Sequence, residues 1–116
     1  MICADDSTPA EAGKGYVCPH ESERVRFGDS VGRAHGYLMR RLYDALKPDH
    51  PELELSFCPA PYSLLHVGNS ARAGEGGAMG RYLREMAVEM PPEVKVVWTG
   101  PEVVPHSVTR EDFLRY

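Results

Sequence analysis

Three short apolar runs, spaced by two segments of helical periodicity, leave this chain few folds to choose from. Met1 to Ala4 stop abruptly at Asp5-Asp6, as a buried strand does on emerging at a sheet's edge. Leu53 to Cys58 read as a second strand, closed by Pro59 and Pro61, and Val94 to Trp98 as a third, apolar except for Lys95. Between the first two, Val31, Ala34, Leu38, Leu42, Ala45 and Leu46 recur at steps of three and four, which predicts a helix near 30–46. Asp29 or Ser30 can accept a bond from the orphan N–H groups of its first turn, and Pro48 stops it. Met79, Tyr82, Leu83, Met86 and Met90 mark a second helix near 78–90, ended by Pro91-Pro92. Thr109 with Asp112 three residues later resembles a capping box and opens one further helix.

Strands alternating with helices imply an α/β fold with a parallel sheet and right-handed crossovers. Three adjacent parallel strands also leave both sheet edges unpaired. The chain is therefore either a small open sandwich or a consecutive slice of something larger. Its 116 residues suit a single domain, and a hydrophobic fraction of 42% supports a packed core. Ser7 to Gly28, rich in Gly, Pro, Ser and charge, reads as a long loop, and Leu64 to Gly77 as another.

Several functions are disfavoured. A net charge of −4 argues against nucleic acid or an anionic membrane as partner. No window holds the ~20 apolar residues of a membrane span, and no basic region followed by an apolar stretch suggests a secretion signal. Three cysteines make no disulfide framework. Cys3, Cys18, His20, Cys58, His66 and His106 lack the close ligand pairs of a zinc site, so no metal and no cofactor are expected. Gly74, Gly76, Gly77 and Gly80 lack the spacing of a phosphate cradle and read as a loop. His35 lies beside the apolar stripe of the first helix and reads as structural.

In parallel α/β folds ligands bind outside the carboxyl ends of the strands. The first strand delivers Asp5-Asp6 there. Mutual repulsion and desolvation would split such a pair into one acid and one anion, while a plain solvated turn is the simpler reading. The second strand delivers Phe57-Cys58-Pro59-Ala60-Pro61-Tyr62, and the third Trp98-Thr99-Gly100-Pro101. Singly, Tyr62 and Trp98 read as core or rim aromatics. Jointly, carboxylates and aromatic walls are what a sugar site requires, because sugar rings offer apolar faces and many hydroxyls.

Asp5-Asp6 after a strand, the helix beginning FGDSVGRAHGYLMRRLYDAL, the strand LELSFCPAPY and the segment RYLREMAVEMPPEVKVVWTGPEVV resemble glycoside hydrolase family 84, the β-N-acetylglucosaminidases that include O-GlcNAcase. The resemblance runs from residue 1 to about residue 113. It implies that residues 1–116 are a partial catalytic domain: three of the eight strands, about the fourth to sixth, of a (β/α)8 TIM barrel. It implies substrate-assisted retention, an exception to the two-carboxylate scheme. Asp5 would accept the acetamido N–H and Asp6 would serve as general acid and then base. Tyr62 would help hold the acetamido group, and Thr99 and Val103 would border its pocket. The implied partners are an N-acetylglucosamine-containing glycan or glycoprotein and the rest of the barrel, whose sugar-binding lysine, aspartate and asparagines fall outside this chain. The other reading, from small size and the long Ser7–Gly28 loop, is a non-catalytic α/β carbohydrate-binding module.

Overall fold

A computed structural model describes residues 1–4, 20–64 and 77–116 of the chain. Along them run β1 (Ile2–Cys3), α1 (Glu21–Phe27), α2 (Val31–Leu46), β2 (Ser56–Cys58), α3 (Gly77–Glu89), β3 (Lys95–Val96) and α4 (Arg110–Arg115). The strands form one parallel sheet in the order β1-β2-β3. Ile2 stands beside Phe57 and Cys3 beside Cys58; Ser56 stands beside Lys95 and Phe57 beside Val96. The architecture is α/β.

The helix expected near 30–46 is α2. Ser30 caps it, its hydroxyl oxygen accepting from the Arg33 N–H at 3.0 Å. The same hydroxyl donates to Glu85 at 2.6 Å, so the cap also ties the start of α2 to α3. Two glycines one helical turn apart set the contact between these helices. A methyl group on Gly32 would overlap the Tyr82 carbonyl oxygen, and one on Gly36 would overlap that of Met86. Backbone therefore rests on backbone. Arg33 pairs with Glu89 at 3.0 Å, and Arg40 donates to the Glu89 carbonyl at 2.8 Å, satisfying an orphan acceptor in the last turn of α3.

The core lies between this helix pair and the sheet. Met39, Phe57 and Tyr82 are sealed from solvent there, with Val31, Met86, Met90 and Val94 around them. His35 enters the same layer. Its Nδ1 lies 2.6 Å from the Tyr82 hydroxyl, and its ring meets Phe57 and Tyr82 edge-on, each centroid at 5.7 Å. Burial pushes the His35 pKa below its ordinary value, against a smaller opposing pull from Glu23.

The structure departs from the sequence reading in three places. The stretch from Ser7 to Gly28 is not all loop, because α1 occupies Glu21–Phe27. That helix buries no residue fully and its N-cap, His20, makes no side-chain cap. An Arg24–Glu21 pair at 2.7 Å ties its first turn, and Arg26 lies 4.1 Å from the centroid of the Tyr37 ring on α2. The second strand is shorter than Leu53–Cys58, since the Leu53 N–H turns back to His50 at 3.0 Å. The third is shorter than Val94–Trp98, although pairing reaches Val97, whose N–H donates to Phe57 at 2.8 Å. No helix among the described residues is long and apolar enough to cross a membrane.

Candidate active site

All three strands point their carboxyl ends the same way, and the backbone there is held by a few specific bonds. Ala4, the residue before Asp5, donates its N–H to the Cys58 carbonyl at 2.9 Å. Beyond Cys58 the β2 chain leaves its ladder. Pro59 and Pro61 have no N–H to give, so pairing lapses and resumes only where Ser63 stands opposite Gly100. Phe57 to Ser63 on one side is opposed by the shorter run Val96 to Gly100 on the other, which makes the β2 exit a bulge. Pro59, Ala60, Pro61 and Ser63 are all buried, so the bulge is packed in place.

Tyr62 and Thr99 meet across this bulge. The Tyr62 carbonyl accepts from the Thr99 N–H at 2.9 Å and lies 3.2 Å from the Thr99 hydroxyl. That hydroxyl also lies 3.0 Å from the Glu102 carbonyl, inside the turn that follows. Gly100 shapes the turn. Its φ of +127° suits glycine, and a Cβ there would come within 2.7 Å of the Pro105 ring. The Leu64 N–H closes the far side by donating to Gly100 at 3.0 Å.

The expected site residues are thus placed unequally. Tyr62, half-buried, and Thr99 are brought side by side. Val103 lies exposed just past the Gly100 turn. Asp5 and Asp6 lie outside the described residues. Trp98 does not serve as a free aromatic wall: its ring stacks on Tyr116 with centroids 5.5 Å apart and meets Phe113 at 6.0 Å, packed with Leu64. The core reading therefore holds for Trp98, whose Nε1 is buried without a hydrogen-bond partner among the described residues.

Tyr116 is the residue that sequence reasoning passed over. Its hydroxyl donates to the Pro61 carbonyl at 2.8 Å, so the end of α4 is anchored on the bulge itself. Burial, with the nearby Cys58 adding to it, raises its phenol above the ordinary range and keeps it a donor. The signal was there in part. The Thr109–Asp112 capping box, fully formed in the structure, aims α4 and its terminal aromatic back toward the strand ends. Among the described residues no three His, Cys, Asp or Glu side chains gather as a metal site; Cys18 and His66 lie outside them, as do Gly74 and Gly76 of the glycine-rich stretch.

A search of curated proteins gives no match. A family model described as beta-N-acetylglucosaminidase (NAGidase) matches residues 3–116, nearly the whole chain and every strand end described above. The chain belongs to the β-N-acetylglucosaminidase family.

Proposed function

We propose that this chain is the central portion of a retaining β-N-acetylglucosaminidase that uses its substrate's acetamido group as the nucleophile. The carrying observation is the joined pair of strand exits: Thr99 bonded to Tyr62, and Ala4 bonded to Cys58 one residue before the aspartate pair. That arrangement sets Tyr62 and the hydroxyl-bearing turn of Thr99 at one end of a parallel sheet, where ligands of such folds bind, and the aspartate pair follows Ala4 directly in sequence.

In the proposed reaction Asp5 accepts the acetamido N–H. The acetamido carbonyl oxygen then attacks the anomeric carbon, while Asp6 gives its proton to the departing glycosidic oxygen. An oxazoline results, and Asp5 stabilises its positive charge. Water, deprotonated by Asp6, opens the ring with overall retention. Tyr62 holds the acetamido group from the side, and Thr99 and Val103 border its pocket.

The proposed barrel context draws support from the open side of the sheet. A largely apolar groove is lined by Leu83, Met86, Ala87, Val96 and Tyr116, with Arg84 beside them. Val96, Val104, Phe113 and Leu114 are exposed. A complete small module would cover such a surface, whereas a slice of a (β/α)8 barrel needs it for the next strand and helix. The 116-residue chain alone would then hold the acid without the grip on the sugar, and it is expected to be inactive.

The test is an assay of the barrel-completed enzyme on aryl N-acetylglucosaminides. Asp6→Asn should lower turnover by roughly 10²–10⁴-fold, the usual worth of a general acid, and a more activated phenol leaving group should restore part of it. Asp5→Asn should be impaired with either leaving group. Full activity in both variants would overturn the assignment.

A further inference from the structure

One side chain touches the residue before each member of the Tyr62–Thr99 pair. The Tyr116 hydroxyl donates at 2.8 Å to the carbonyl of Pro61, which precedes Tyr62. The Tyr116 ring stacks on Trp98, which precedes Thr99, with centroids 5.5 Å apart and planes 24° from parallel. Both strand exits are thus gripped from one point.

The bulge needs such a hold. Pro59 and Pro61 carry no N–H, so the only main-chain polar group each can offer is its carbonyl. Pro61 is sealed from solvent, and its carbonyl needs a partner from within the protein. Tyr116 supplies that partner from a fixed base. The reciprocal Thr109–Asp112 cap orders the start of α4, and Phe113 meets Trp98 edge-on at 6.0 Å. Burial holds the Tyr116 phenol above its ordinary pKa, so it stays a donor through the pH range of an ordinary assay.

We propose that Tyr116 is a positioning residue for the acetamido pocket: by gripping Pro61 and Trp98 it sets the approach of the Tyr62 phenol and the Thr99 turn. The role rests on the glycosidase reading, since Tyr62 has an acetamido group to hold only in that reaction. It requires the Tyr116 hydroxyl to be packed rather than accessible, so barrel elements that cover α4 leave it intact. A small displacement of Tyr62 would move the substrate's own nucleophile out of line with the anomeric carbon.

Tyr116→Phe in the barrel-completed enzyme keeps the ring stack and removes the donor. On an aryl N-acetylglucosaminide it should lower kcat/KM by roughly 5–10-fold, but by less than about twofold when Tyr62→Phe is already present. A loss that came only from a weakened fold would be the same in both backgrounds. Amide exchange reads the grip without activity. Thr99, whose N–H is held by the Tyr62 carbonyl, should exchange at least ~5-fold faster in Tyr116→Phe, while Ala4, held by the Cys58 carbonyl before the bulge, should not change. An active parent in which the Tyr116→Phe loss is absent or equal in both backgrounds, or in which Thr99 exchange is unmoved, would overturn the positioning role alone. A parent with no activity toward the N-acetylglucosaminide would overturn the glycosidase reading and this role with it.

Discussion

Thr99 holds the Tyr62 carbonyl with its backbone N–H at 2.9 Å and brings its hydroxyl to 3.2 Å of the same oxygen. The hydroxyl has one proton and two acceptors in reach, the second being the Glu102 carbonyl at 3.0 Å. Thr99→Val keeps the shape and the N–H while removing that proton. The expected loss is about 0.5–1.5 kcal/mol, the net worth of one hydrogen bond. Denaturant titration should show it as a lower midpoint with an unchanged slope.

Tyr62→Phe addresses the site rather than the scaffold. In the barrel-completed enzyme it should reduce kcat/KM by roughly 10–100-fold, as loss of one well-placed hydrogen bond does. Stability should move far less. A variant as active as the parent would remove Tyr62 from the proposed acetamido contact.

The helix pair makes a sharper structural prediction. Gly32→Ala and Gly36→Ala each drive a methyl group into a carbonyl oxygen of α3, so the helices must separate. Overpacking of this kind costs about 1–3 kcal/mol. Gly28→Ala is the internal control, since its φ of +61° brings strain but nothing stands within 4 Å of the added carbon. Its ψ of −143° lies outside the left-handed helical well, so the cost is backbone strain alone, about 1–3 kcal/mol. Thermal unfolding should show a lowered midpoint for all three variants.

His35 gives the protein a pH dependence of defined sign. Burial lowers its folded pKa, so the unfolded chain binds the proton more readily. Stability from this group is fully present above the unfolded value near ~6.5 and falls as pH drops below it, until the folded value is passed. Urea midpoints measured from pH 8 down to pH 5 should decline. The part due to His35 should vanish in His35→Gln, which keeps a polar partner for the Tyr82 hydroxyl.

The lone tryptophan reports on α4. Thr109 and Asp112 form a reciprocal cap, and the Thr109 N–H and hydroxyl hold the Asp112 carboxyl below its ordinary range. Because that folded pKa is depressed, the cap's contribution is present above the unfolded value and is lost as pH falls through the folded one. Thr109→Ala should loosen α4 and lift Tyr116 from Trp98. A red shift and increased acrylamide quenching of Trp98 emission would register this at neutral pH.

Much of this arrangement was legible in the residues. The stripe from Val31 to Leu46, with Ser30 before it and Pro48 after, predicted α2 because periodicity, cap and stop all agree there. Alternation of apolar runs with such stripes predicted the parallel sheet, and hence that Tyr62 and Thr99 would share an end. α1 was not legible. Its seven residues are mostly charged, and what holds it is Arg26 over a ring eleven residues further on. Trp98 reads singly as a core or rim aromatic, and that holds, but its cover was hidden for a different reason. Strand parity does not reveal that Tyr116, eighteen residues on, returns to stack on it. The contact of Gly32 with Tyr82 was equally hidden, since spacing of small residues does not say which neighbour approaches.

Pro59 and Pro61 have a consequence for any assembly built on this sheet. An imino residue cannot donate, so the ladder cannot run unbroken past Cys58 and resumes only at the Tyr62–Thr99 and Leu64–Gly100 bonds, however tightly the surrounding shell closes. The widening between those two points is therefore written into the main chain, and side chains along it are free to diverge without restoring the ladder.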